Sequence, residues 1–491
     1  MRSLRLVALL AISAQVAYGQ QPSAARHTSL SLEDAIAEAR QNNPQLAQTK
    51  NLVRDADANV RSTYGALLPS ARLNVQSAYT QGGTQYYNGV ALGSSAATYN
   101  SFYSVGVGYS IAPGAIYAPR AARANRAASE AAVISASELL RSNVTTQYIQ
   151  ALEQQANAAL NDTLVQTAKG QLDLANAKVE VGAGTILDVR TAEVALGQAE
   201  VNALQAHNQA RIEKLRLFQL MGVAPEPDAQ LTTQFAVSAP PTSVDSLIDL
   251  ARRVNPDLAA KRSTEFADQM SVKVQRSQYL PSLNLSTGFG ATAFGYADTD
   301  PLVRQQEAQI SGSYGSCLAS DSLRVGAGLA PRGCSQGLTD AQLATLRQNL
   351  DAKNNPFKFA SSPLSFSVGL SLPLFNGFQR EAGIEQARVT HDNATLDLKS
   401  RELQITTDVT TAYLNLVTAQ KTVDLRNTTA RQATEALMFA EESYKVGAKT
   451  FLDVTTARGQ YEQAQVQRLV SIYDYHKAFA ALENAVGRPL R

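Results

Sequence analysis

Fourteen residues beginning at Val181, VGAGTILDVRTAEV, return from Val446 as VGAKTFLDVTTARG with nine positions identical. The echo is not local. Asn43-Pro44-Gln-Leu46 recurs as Asn255-Pro256-Asp-Leu258, and Leu68-Pro69-Ser70 as Leu280-Pro281-Ser282, both at an offset of 212 residues. Thr145-Thr146-Gln-Tyr148 recurs as Thr410-Thr411-Ala-Tyr413, and Gly222 as Gly487, both at 265 residues, so 265 minus 212 leaves 53 residues inserted in the second copy between Thr292 and Pro363. A chain repeated at a long fixed period builds one structural unit twice. Repeat 1 spans 20–223 and repeat 2 spans 243–491, joined by a Pro-rich link over 224–242 that reads VAPEPDAQ to VSAPPTS.

Each copy changes its hydrophobic period in the same order. Asn followed by Pro, at Asn43 and Asn255, is a helix start with an N-cap and proline in the first helical position. The helical stretch ends at the Leu-Pro pair, where the period becomes two. Strands are expected over 71–79, where Leu73, Val75 and Tyr79 alternate with Arg72, Asn74 and Gln76, and over 283–291, where Leu283, Leu285 and Phe289 alternate with Asn284, Ser286 and Gly288. A loop follows, and then a second alternating run. These second strands, 103–111 and 364–372, set Tyr103, Val105, Val107, Tyr109 and Ile111, or Phe366, Val368, Leu370 and Leu372, against a face of Ser and Gly. A transmembrane barrel has such alternation, and so does a soluble half-buried sheet.

The helices that follow separate the two. No proline interrupts 120–224 or 374–488, and the turn signals there are Gly182 and Gly447 inside the repeated motif. Helical hairpins are therefore expected over 120–221, with its tip at 182–188, and 379–487, with its tip at 447–453. The first arm alone would run about 90 Å at 1.5 Å per residue. In the second hairpin Ile405, Val409, Ala412, Leu416, Ala419, Val423, Ala430, Ala433, Leu437, Ala440 and Tyr444 form a heptad seam broken only at Arg426. A seam of this kind packs as a coiled coil, and its alanines call for close approach.

Met1, Arg2 and Arg5, the apolar run from Leu6 to Ala14, and Ala17-Tyr18-Gly19 before Gln20 have the layout of a secretory signal over 1–19. Without it, 44 minus 2 leaves 42 basic against 42 acidic side chains. A balanced chain lacks the concentrated basic face that nucleic acid requires. No apolar run long enough for a spanning helix follows the signal, so a bilayer would have to be crossed by strands. Four strands do not close a spanning barrel, which begins at about eight, and an open edge in lipid leaves backbone groups unpaired. Oligomerisation follows: two chains would supply eight strands, three would supply twelve. Cys317 and Cys334 lie together in the inserted segment; in an exported chain a disulfide is expected, with two free thiols in a loop as the alternative. No neighbouring His suggests a metal.

The duplicated VGAGTILDV and VGAKTFLDV turns, the Leu-Pro-Ser helix-to-strand junctions and PLFNGF from Pro373, in this order and spacing, resemble the outer membrane efflux protein family, the TolC family. The resemblance covers the whole chain after the signal. It implies an α+β membrane protein with a tandem-duplicated helix-strand-strand-helix-helix protomer, three copies of which form a 12-strand outer-membrane β-barrel continued by a long periplasmic α-helical, coiled-coil barrel. It further implies a homotrimeric exit duct for a tripartite efflux system in a Gram-negative type bacterium. The implied partners are a periplasmic adaptor (membrane fusion) protein, an inner-membrane pump of RND or ABC type, and outer membrane lipid. Segments 80–102 and 293–362 would face outside the cell, the second being the extracellular insertion.

At the tips, Gly182 and Gly447 end a helix in the left-handed conformation, and Thr185 with Asp188, like Thr450 with Asp453, has capping-box spacing. This local reading accounts for those residue types by itself. The resemblance adds function to it. It places the tips at the constricted periplasmic end, with an adaptor docking beside Gly182, Thr185, Leu187, Gly447, Thr450 and Leu452. Leu187 and Leu452 could equally be coiled-coil core. Three copies of Asp453 would form an acidic, cation-preferring ring; the family's second acidic position is Thr456 here. The family's closing network maps onto Asp188 of the first hairpin with Tyr444 and Lys449 of the second, lysine replacing an arginine.

No enzyme is expected. The histidines at 27, 207, 391 and 476 are scattered, no HExxH, GxSxG or phosphate-loop motif is present, and no catalytic residue, cofactor or metal is assigned. Two rivals share much of the pattern: an outer membrane duct for type I protein secretion, and an exported trimeric coiled-coil stalk or adhesin without a conducting lumen. The stalk does not account for the duplicated order of helices and strands.

Overall fold

The computed structural model of the protein describes residues 29–226, 229–237, 243–335, 337–355 and 357–490. The signal expected at 1–19, and residues 227–228 and 238–242 of the link, lie outside the described residues. Copy one forms β1 (Ser29–Leu30), α1 (Leu32–Asn42), α2 (Pro44–Gly65), β2 (Ser70–Thr80), β3 (Gly83–Tyr87), β4 (Val90–Ser95), β5 (Thr98–Ile111), α3 (Pro113–Glu180) and α4 (Ile186–Met221). The link carries β6 (Gln230–Leu231). Copy two forms α5 (Val244–Val254), α6 (Pro256–Arg276), β7 (Ser282–Tyr296), α7 (Asp300–Gly326), α8 (Asp340–Lys353), β8 (Ala360–Ser371), α9 (Gln379–Lys445) and α10 (Phe451–Val486).

The duplication is visible element by element, with instructive differences. The link is not wholly irregular, because β6 pairs in parallel with β1. Segment 80–102, expected as a loop, contains the β3–β4 hairpin. Segment 293–362 contains α7 and α8, and β5 and β7 run farther than the alternating pattern suggests because Thr98 to Ser101 pair with Tyr296 to Ala293. The first long helix starts at Pro113 instead of residue 120, with Pro119 inside it. Proline at the first position lacks only an N–H that would have had no helical partner.

Two compact units divide the chain. One comprises Ala58–Arg123 and Asp268–Thr390 and holds the sheet β2-β5-β7-β8, antiparallel throughout. Register sets Leu73, Val105 and Phe289 in one row and Tyr109, Leu285 and Val368 in another, so the apolar positions of all four strands share a face. The other face is polar: Ser110 Oγ donates to Asn284 Oδ1 at 2.7 Å, and Ser286 and Ser367 hydroxyls lie 2.6 Å apart. Strands β2 and β8 are the sheet's two edges, each paired on one side only. In the inserted segment Cys317 and Cys334 form a disulfide with Cα atoms 5.8 Å apart. Buried Asp321 accepts the N–H groups of Arg332 and Gly333 at 2.9 and 3.0 Å, which fixes the chain that carries Cys334.

The other unit comprises the residues up to Asp57, Ala124–Ala267 and the chain from His391. Its helices bury apolar stripes, and the heptad seam is buried at Ile405, Val409, Leu416, Val423 and Leu437. Arg426, the break in the seam, donates instead to Gln467 of α10. The Asn-Pro motif closes each copy on itself. Asn43 Oδ1 accepts the N–H of Leu46 at 3.0 Å while its amide donates to Leu220 O, at the end of α4, at 2.8 Å. Asn255 repeats the device with Leu258 N at 3.2 Å and Ala485 O, at the end of α10, at 3.2 Å. Among the described residues no helix is long and apolar enough to cross a membrane.

Candidate functional site: the two hairpin tips

At each tip a helix runs into a glycine with positive φ, +74° at Gly182 and +80° at Gly447. The following N–H returns to the carbonyl five residues earlier, Ala183 to Lys178 and Ala448 to Ser443, each at 2.8 Å. The glycine N–H groups reach Val179 O and Tyr444 O at 3.0 and 3.1 Å, the pairing of a Schellman end. No atom lies within 4 Å of where a Cβ would stand on either glycine, so backbone conformation alone requires it.

The next helix then opens on a complete capping box. The Thr185 N–H donates to Asp188 Oδ2 at 3.0 Å, and the Asp188 N–H to Thr185 Oγ1 at 3.2 Å. At the second tip the corresponding distances are 2.9 and 3.3 Å, and the Thr450 hydroxyl also donates to Asp453 Oδ2 at 2.8 Å. Those bonds from Thr450, first from its amide and then from its hydroxyl, hold the Asp453 carboxyl below its ordinary pKa, with the Lys449 ammonium adding to the effect. Asp453 is therefore an exposed, firmly ionised carboxylate. Leu187 and Leu452 are 70 and 73 % exposed, which takes them out of the protomer's core, and Val181, Ile186 and Val446 are exposed beside them.

The expected closing network is not formed within the protomer. Tyr444 is 5 % exposed, packed with Ala175, Val189, Ala192, Leu437, Ala440 and Val454, and its ring centroid lies 5.6 Å from that of Phe451. Burial, and secondarily the charge of Asp188, pushes its pKa up. Its buried hydroxyl nevertheless has no hydrogen-bond partner among the described residues. Asp188 spends its carboxylate on the Thr185 amide, and Lys449 stands next to the N-cap of its own tip, where its charge acts on Asp453.

The cation that does reach Tyr444 is Lys178, in the last turn of α3. Its ammonium stands 4.6 Å from the Tyr444 ring centroid and donates to Tyr444 O at 2.7 Å and Lys445 O at 3.1 Å. Farther along the same helices buried Arg458 donates to Gln171 Oε1 at 3.2 Å and to Ala195 O at 3.4 Å, and pairs with Glu462 at 2.6 Å. Gln171 in turn donates to Glu441 Oε1 at 3.2 Å, so α3, α4, α9 and α10 are joined by one polar chain. A lysine in the last turn of a helix is a sequence signal for satisfying terminal carbonyls. Lys178 does this for another helix, 266 residues away, which no spacing rule in the sequence reveals.

The family described as outer membrane efflux protein matches residues 35–223 and 340–488. The outer membrane efflux protein BepC of Brucella suis biovar 1 is 22% identical over 468 residues, which cover 94% of this chain and 86% of BepC. The outer membrane protein TolC of Vibrio cholerae is 23% identical over 364 residues, 73% of this chain and 69% of that protein. Among solved structures, the outer membrane protein VceC of Vibrio cholerae superposes with a TM-score of 0.67 at 18% identity, over 94% of this chain and 97% of VceC, a likeness of fold.

Proposed function

This chain belongs to the outer membrane efflux protein family and works in the outer membrane, and from that premise we propose that it is the passive exit duct of a tripartite efflux system. Channels of this family work as trimers with adaptor and pump partners. In the proposed assembly β8 of one copy pairs with β2 of the next, and three four-stranded sheets close a twelve-strand barrel with the Ser, Gly and Asn face toward water. The long helices of three copies continue the duct through the periplasm to the tips.

The observation that carries this reading is the open-edged sheet. Edges β2 and β8, 11 and 12 residues long, keep one side of each backbone unpaired in the protomer, and their side chains are exposed throughout. Such edges are untenable in lipid unless another copy completes them. At the tips the exposed Val181, Leu187, Val446 and Leu452 offer an adaptor an apolar surface, and in the proposed trimer three exposed Asp453 carboxylates line the second tips. Cargo diffuses outward once an adaptor and an energised inner-membrane pump, of RND or ABC type, relax the tips. The chain itself transforms nothing.

The test is conductance of the purified protein in a planar bilayer, with its oligomeric state measured in parallel. A trimer with a small, cation-preferring conductance is expected. An inserted trimer that never conducts would overturn the duct and leave a lumenless stalk.

A further inference from the structure

We propose that Lys178 is the latch of the duct's tip: its ammonium ties the end of α3 to the end of α9, and passage of cargo requires its release. The inference rests on the duct reading above and deepens it by naming the cation that holds the closed state. All three attachments of that ammonium lie on one residue pair, the carbonyls of Tyr444 and Lys445 and the face of the Tyr444 ring. Carbonyls at a helix end carry the negative pole of the helix and lack intrahelical donors, so a cation there satisfies hydrogen bonds and charge together. A ring face adds attraction of its own, more where the site is partly shielded from water. Lys178 is half-buried and Tyr444 buried, so this site is shielded.

The geometry makes the contact a latch and not a general adhesive. The two carbonyls and the ring belong to the final turn before Gly447, and the Tyr444 carbonyl also accepts the Gly447 N–H at 3.1 Å. Any movement of the end of α9 away from α3 therefore breaks all three attachments at once, and it disturbs the turn that carries Val446 and Leu452. Docking at the exposed tip and release of the tip are coupled through the same few atoms. The device is also one-sided. The position equivalent to Lys178 in the second copy, at the offset of 265, is Ser443, which has no side chain able to reach the first tip in return. The obvious alternative cation, Lys449, acts by its charge on Asp453, and among the described residues it makes no ion pair or hydrogen bond with Asp188 or Tyr444.

Lys178→Met keeps most of the apolar stem and removes the ammonium; Lys178→Arg keeps a cation with a longer reach. Single-channel recording of the full trimer should show the open probability of Lys178→Met rise about tenfold, the scale expected of a partly shielded cation–ring contact. Lys178→Arg should recover most of the closed behaviour, and Lys449→Met should produce a smaller rise than Lys178→Met. Hydrogen exchange on the same trimers reads the latch without conduction. The Gly447 and Ala448 amides should exchange about tenfold faster in Lys178→Met and return toward wild type in Lys178→Arg, local opening being what such exchange reports. A conducting wild type with Lys178→Met indistinguishable from it, or Lys449→Met the more open of the two, would overturn the latch and leave the duct standing. A wild type that never conducts, with exchange still accelerated in Lys178→Met, would overturn the duct and retain the contact as a tie between hairpins; unchanged exchange would remove both.

Discussion

Each helical hairpin ends in a left-handed glycine at both its tip and its base, yet the two glycines answer to different constraints. At the tips, Gly182 and Gly447 stand in open space, and a side chain would cost only the backbone conformation. At the bases, Gly222 and Gly487 have φ of +77° and +89° and are also pressed against the Asn-Pro corner. A Cβ on Gly222 would lie 2.5 Å from Asn42 O, and one on Gly487 2.8 Å from Pro256 Cδ and 2.9 Å from Asn255 Cα. The same residue type therefore makes a locked joint where copies close on themselves and a free turn at the tips, where the proposed duct would meet its adaptor. The base needs space and conformation; the tip needs conformation alone.

The sharpest way to break this distinction is Gly487→Ala. Backbone strain and a clash with main chain should together destabilise the fold by about 4 kcal/mol, read as a lost or sharply lowered melting transition of the detergent-solubilised protein. Asn255→Ala comes next. It removes a helix cap and leaves the Ala485 carbonyl without its amide, at a cost of about 2 kcal/mol in the same measurement. Gly447→Ala should cost about 1 kcal/mol, the penalty for a left-handed alanine with nothing to strike. Were the last variant as damaging as the first, the contrast between tip and base would collapse.

The smallest energetic effect is expected of Asp453→Asn, whose carboxylate is fully exposed, and its readout is selectivity: the reversal potential in a salt gradient should move toward zero. The pH dependence sharpens this. Because Asp453 has a lowered pKa in the folded chain, its cap is present above the unfolded pKa and is lost only as pH falls through the lower folded value. Cation preference should consequently persist through neutral pH and fall only in the acidic range where carboxylates take up protons. A wild-type selectivity that Asp453→Asn leaves unchanged at neutral pH would remove Asp453 from the lumen.

Much of the fold was legible because its signals are local. Alternation marked β2, β5, β7 and β8; Asn43 and Asn255 marked the corners; the heptad from Ile405 to Tyr444 marked a buried seam, and most of its positions are buried. The hairpin β3–β4 and the helices α7 and α8 were missed because they lie in stretches without the alternation or seam by which the other elements were recognised. The Pro-rich link gave no sign of β6, because a two-residue strand exists only through its distant partner β1. At the tips, Gly, Thr and Asp are where the capping rules place them, while the closing cation is not. Asp188 is held by its own helix start, and the charge of Lys449 acts on Asp453.

That one unit is built twice, that each unit runs helix, strand, strand and long hairpin, and that four strands with open edges in lipid would need further copies can all be read along the chain. These follow from repeats, periods and backbone hydrogen bonding, which act over a few residues or on the composition of a whole segment. Packing alone sets Leu187 and Leu452 facing out, Arg458 bonding from α10 to α3 and α4, and Lys178 against Tyr444. A long flexible side chain selects its partner by where another helix happens to end, and that position is a property of the packed hairpins, not of the residues near it in the chain.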